Sequence, residues 1–142
     1  MAGREVLFPT LWGMFLERPW TGWGPMNNQY ELAQRIAEQN RLTRDSHNLI
    51  LEVITTTGML GAIPFFMGLA LVVRGAWRAR SGLHGITPLA LLASHLIGAM
   101  SGNPITSKQF WLVCAYAIAA ATAARIVPAP KTASQALRAA PA

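Results

Sequence analysis

Polar and apolar positions divide the chain into a mixed first third and a largely apolar remainder. From Val6 to Leu16 the residues are apolar and aromatic at helical spacing. Val6, Leu7, Leu11 and Phe15 carry the period, with Trp12 and Met14 beside them, which predicts a short amphipathic helix. It should stop near Arg18, because Pro19 disfavours helix in the residue before it. Pro19-Trp20-Thr21-Gly22-Trp23-Gly24-Pro25 then reads as a compact turn, with two glycines to allow positive φ and two prolines to fix it. Glu31 to Arg41 lacks glycine and proline and sets Glu31 and Arg35 at i,i+4, which predicts a second short, polar helix.

Asp45 or Ser46 suits the N-cap of the next helix. That helix is predicted to run from His47 to about Val73, amphipathic at Leu49, Ile50, Val53 and Ile54 and wholly apolar from Met59. Pro64 inside it should kink it, as neighbouring helices in a membrane permit. A basic loop from Arg74 to Gly85 ends the span. Ile86 to Met100 is a second apolar segment, which reaches the roughly 20 residues of a bilayer span if Leu83 to Gly85 and Ser101 join it. Ser101-Gly102-Asn103-Pro104 is a turn, and Gln109 to Val127 is a third, alanine-rich span. The expected fold class is all-α: a polytopic membrane protein with about three transmembrane helices. Residues 1–48 form a loop segment with short amphipathic helices, and residues 47–127 form the membrane domain, with spans at about 55–73, 84–101 and 109–127. Residues 128–142 form a disordered, cationic Ala/Pro tail.

Composition supports a membrane reading. Of 142 residues 52% are hydrophobic and 13% charged, against roughly 25% charged in an ordinary soluble domain. The net charge of +6 is unevenly placed. Arg4, Arg18, Arg35, Arg41 and Arg44 are balanced by Glu5, Glu17, Glu31, Glu38 and Asp45. The excess lies at Arg74, Arg78 and Arg80 and at Arg125, Lys131 and Arg138, flanking apolar spans. That is the positive-inside pattern rather than a phosphate-tracking surface, so no nucleic-acid partner is expected and membrane lipid is. It orients the Arg74–Arg80 loop and the tail to the cytoplasm. The N-terminal segment and the Ser101–Lys108 turn then face outward, periplasmic at a bacterial inner membrane. The N-terminal Met-Ala-Gly-Arg-Glu lacks the apolar core of a signal peptide, so insertion should rely on the internal spans. Cys114 stands alone in an apolar span, which leaves no disulfide or cysteine-based metal framework.

Candidate chemistry gathers where the loop becomes the long helix, at Ser46-His47-Asn48. A histidine in the opening turn meets the positive end of the helix dipole, which keeps imidazole neutral and able to accept a proton as a general base. The same helix start offers backbone N–H groups to a phosphate or diphosphate. Asn48 can orient a substrate, and Glu52 lies one turn further on. The pattern equally fits a capped helix start at the membrane interface. Arg4 can bind phosphate oxygens bidentately or be a solvated charge. The Trp20–Gly24 turn can stack a sugar ring or anchor in the headgroup layer. His95 is a functional candidate as the one titratable side chain of the second span, or a neutral histidine bonded to another helix. No metal site or cofactor is expected, since the three histidines fall on opposite sides of the membrane.

Taken in order, Gly3-Arg4, Leu11-Trp12, Pro19 to Pro25, Ser46 to Glu52, Thr57-Gly58-Met59-Leu60-Gly61 and Phe65 resemble the C-terminal conserved region of the O-antigen ligase and polymerase family. The stretch from His95 to Trp111 also fits that family's closing spans. Its members are inner-membrane glycosyltransferases that move a glycan from an undecaprenyl-diphosphate carrier to an acceptor hydroxyl, without a metal. The resemblance implies that His47 activates the acceptor hydroxyl and that Arg4 engages the diphosphate. Family members usually have ten or more spans, against about three expected here. The resemblance therefore leaves open a truncated reading frame, a fragment of a longer protein, or a subunit whose partner is a separate N-terminal half or a homologous subunit. The contrasting expectation is a truncated, non-catalytic small membrane protein or assembly partner.

Overall fold

The computed structural model describes residues 4–36, 43–82, 84–102 and 105–126. All regular elements among them are helices: α1 (Arg4–Glu17), α2 (Pro25–Arg35), α3 (Leu49–Ala79), α4 (Thr87–Gly98) and α5 (Lys108–Ile126). The all-α expectation therefore holds for the described residues. The expected tail at 128–142 lies outside them, as do Arg41 and the Asn103-Pro104 half of the predicted turn.

α1 ends where Pro19 predicts, but it is not amphipathic. Leu7, Leu11 and Met14 are buried against Leu32 and Leu51, while Val6, Phe8, Trp12 and Leu16 stand exposed on the opposite side. α2 begins at Pro25, earlier than Glu31, because proline needs no N–H partner at a first helical position. The Glu31–Arg35 pair forms as the spacing predicts, at 2.8 Å, and Arg35 also bridges to Glu17 on α1. The hydrogen bond and charge of Arg35 hold the Glu17 carboxyl below the usual carboxylate range. A depressed carboxyl contributes stability above its unfolded pKa and loses it as the pH falls through the lower folded value. Acid titration followed by circular dichroism should show this loosening of α1 from α2, and Glu17→Gln should abolish its pH dependence.

Two helices, Leu49–Ala79 and Lys108–Ile126, are long and apolar enough to cross a membrane. The expected second span is realised as α4, an apolar helix of 12 residues. At ~1.5 Å per residue it covers about 18 Å, short of a ~30 Å hydrocarbon core. α3 and α5 run in the same direction. Phe65 meets Trp111 near one end, with ring centroids 6.4 Å apart, and Gly82 lies against Ala124 near the other. Small residues let the two backbones approach: a Cβ on Gly75 would lie 3.2 Å from that of Ala121. α4 returns between them, with Leu92 packed beside Ala76, Phe110, Cys114 and Ala117.

α3 is broken, and not at Pro64. The non-helical residue is Gly58, at φ 61° and ψ −168°. Thr55 and Thr57 prepare the break by hydrogen bonding back to Leu51 O (2.6 Å) and Val53 O (2.8 Å), a pattern that bends helices. The Pro19–Pro25 turn plugs the gap. Trp23 N donates to Thr55 O and Gly24 N to Thr56 O, both at 2.8 Å. In return Met59 N donates to Pro19 O at 2.8 Å and Leu60 N to Trp20 O at 3.1 Å. The carbonyls and amides orphaned by the break thus find partners in the turn, two in each direction. Both glycines are required by contact: a Cβ on Gly58 would lie 2.4 Å from Trp20 C, and one on Gly22 would lie 2.5 Å from Thr56 C.

Candidate functional site

The segment leading to His47 is strapped to α2. Gln29 O accepts from Arg44 N at 3.1 Å, and Gln29 Nε2 donates to Asp45 Oδ1 at 2.9 Å. Ser46 turns inward and is buried, its hydroxyl donating to Asn48 O at 3.2 Å. His47 turns outward and is exposed. Its backbone sits at φ 50°, the only positive φ on a non-glycine residue among those described. That conformation costs roughly 1–2 kcal/mol, less for residues enriched there such as histidine. A strained, exposed, titratable residue between two anchored neighbours is a reason to look for function.

The helix start differs from expectation in three respects. The N-cap is Asn48, not Asp45 or Ser46: its Oδ1 accepts from Ile50 N at 3.0 Å and Leu51 N at 3.1 Å. His47 therefore precedes the helix and does not sit in its opening turn. The amides expected to bind a diphosphate are also occupied. Leu49 N donates to Ala99 O beyond α4 at 3.0 Å, and Glu52 N donates to Asn48 O at 2.9 Å. With Ile50 and Leu51 capped, all four N-terminal donors of α3 are satisfied within the chain. A phosphate at this junction must be held by side chains.

Asn48 accordingly has a structural role, with its Oδ1 committed to the cap. Asn48→Ala should cost about 1 kcal/mol, and Asn48→Asp, which can cap equally well, should restore it. Thermal unfolding in detergent distinguishes the two variants, and equal losses would count against the cap.

Arg4 is the first residue of α1, and its side chain lies outside the described residues. The Trp20–Gly24 turn has a role beyond stacking or anchoring, because its backbone fills the α3 break. Trp23 is fixed by an indole bond to Met14 O at 2.8 Å, with the Arg18 guanidinium 4.2 Å from its ring centroid. Trp20 remains 65% exposed. His95 is satisfied locally, its Nδ1 lying 3.0 Å from Leu91 O one turn back, rather than bonded to another helix. It lines a cavity of about 340 Å³ with Ser94, Ala99 and Ser107, below the carbonyl that caps Leu49.

Sequence reasoning missed Gln29 and Asn28 and undervalued Glu52. Asn28 is wholly buried with both amide atoms lacking hydrogen bonds, and Glu52 Oε2 is likewise buried without a partner. Each such atom costs about 1–3 kcal/mol. Polar residues on an otherwise helical pattern gave the only available signal.

Residues 1–66 match the family model for O-antigen ligase. Over that segment the chain is similar to the O-antigen ligase family. No curated protein and no solved structure matches the chain significantly. The matched stretch contains α1, α2, the His47 junction, the α3 break and its plug. These form one connected substructure, so the matched segment carries its own geometry around His47. α4, α5 and the second half of α3 lie beyond it.

Proposed function

We propose that the chain takes part in O-antigen ligase-type glycan transfer at the outer face of a bacterial inner membrane, with His47 as the general base. The observation that supports it most is the placement of His47. Among the described residues of the family-matched segment, it alone is exposed, titratable and held in a left-handed conformation by anchored neighbours on both sides. An acceptor hydroxyl gives its proton to the imidazole as its oxygen attacks the anomeric carbon. The bond to the carrier diphosphate breaks, and the electron pair leaves with that diphosphate. Arg4 supplies a permanent cation for the leaving charge, a role that gains weight because the α3 amides are occupied. The strap at Gln29, the Asn48 cap and the plugged break hold the base still, as preorganised catalysis demands.

The test is glycan transfer from an undecaprenyl-diphosphate donor by membranes containing the protein. His47→Ala should abolish transfer at an unchanged membrane level of the chain. Undiminished transfer would remove His47 from the chemistry. Arg4→Glu should impair transfer more than Arg4→Lys, and equal wild-type activity in both would remove Arg4.

A further inference from the structure

Between α3 and α5 lies an apolar groove of about 730 Å³, walled by Phe65, Leu69, Val72, Phe110 and Ile118. Gly68 opens it, since a Cβ there would meet nothing within 4 Å. The α3 wall runs from Pro64 to Gly75. At ~1.5 Å per residue it is about 16 Å long, roughly half the hydrocarbon thickness and so the depth of one leaflet. The groove ends at Thr122 and Arg125. Beside that end is a recess of about 110 Å³ among Gly75, Ala79, Ala121 and Ala124, flanked by Arg78 and Arg125.

Charge identifies the occupant. All six acidic residues of the chain lie at or before Glu52, while seven of its twelve Lys and Arg residues follow it. The arginines at this end therefore have no acidic side chain to pair with in their own half of the chain. Among the described residues, neither the Arg78 nor the Arg125 side chain makes a hydrogen bond or ion pair. An apolar channel one leaflet deep, ending at Thr122 and Arg125 with Arg78 in the adjoining recess, is complementary to a lipid with an anionic head.

We propose that the α3/α5 groove binds one anionic phospholipid, with its phosphate between Arg78 and Arg125 and an acyl chain along Gly68 and Val72. Apart from Pro64 and Phe65 the site lies outside the family-matched segment, and it does not depend on the glycan-transfer reading. The test uses the full chain in non-ionic detergent, mixed with phosphatidylglycerol or with phosphatidylcholine of the same acyl chains. Native mass spectrometry reads the retained lipid. One phosphatidylglycerol per chain should be retained, about thirty-fold more than phosphatidylcholine at low salt, from two arginines acting near the membrane surface. Arg78→Gln with Arg125→Gln should reduce phosphatidylglycerol to the phosphatidylcholine level while helix content is unchanged. Gly68→Phe, which fills the groove and leaves both arginines, should lower retention of both lipids. Equal retention of the two lipids by the unaltered chain would overturn the proposal. So would a preference that survives the double substitution, unchanged retention by Gly68→Phe, or a lipid-free dimer that buries the groove against a second copy.

Discussion

Gly58→Ala should release the Pro19–Pro25 turn from α3 and destabilise the fold by about 3–5 kcal/mol, the largest effect expected of any single methyl group here. Two costs combine. At φ 61° and ψ −168° the backbone occupies a region open essentially to glycine alone. The new Cβ would also fall 2.4 Å from Trp20 C and O, which are backbone atoms with no rotamer to escape into. Relief requires the turn to withdraw, and withdrawal exposes the four hydrogen bonds that seal the break. Gly22→Ala attacks the same contact from the other side, meeting Gly58 N at 2.6 Å. Since either change undoes one docking, the double variant should cost clearly less than the sum of the singles. Hydrogen exchange at the Trp23, Gly24, Met59 and Leu60 amides should accelerate together in each variant. Unchanged protection at all four would show that the turn does not hold the break.

The second large effect concerns His47, where fold and chemistry can be separated. His47→Gly accepts φ 50° without strain, so the native conformation is eased while the unfolded chain gains freedom. Stability should change by less than about 1 kcal/mol. Transfer should nonetheless fall by about 10²- to 10⁴-fold, the usual contribution of a positioned general base. His47→Ala should fall as far and lose a little stability besides. Should His47→Gly transfer glycan at the normal rate, the strained backbone alone would be the feature that matters and the imidazole would be dispensable.

These two residues show what could be read without coordinates. Gly58 belonged to a recognisable motif, but its local pattern favoured continuous helix, and Pro64 was the expected site of deformation. A proline breaks a helix by its own covalent structure, whereas the Gly58 break is stabilised by partners more than thirty residues upstream. His47 was legible as a candidate because a polar junction before an apolar run is local information. Its exclusion from the helix depends on Asn48 capping and on Ala99 O taking the Leu49 amide. The occupied amides leave the proposed anion binding to side chains, which no spacing rule could foretell.

Local sequence is enough to set the helical class, the stop before Pro19, the Glu31–Arg35 pair, the positive φ of the turn glycines and the segregation of charge. Each follows from neighbours within a few residues or from summed composition. Where α3 breaks, what fills the break, which residue caps the helix and where the α3/α5 groove opens depend on long-range packing. Those outcomes require backbone groups distant in sequence to satisfy one another once removed from water, because an orphaned buried N–H or carbonyl costs more than a bent helix.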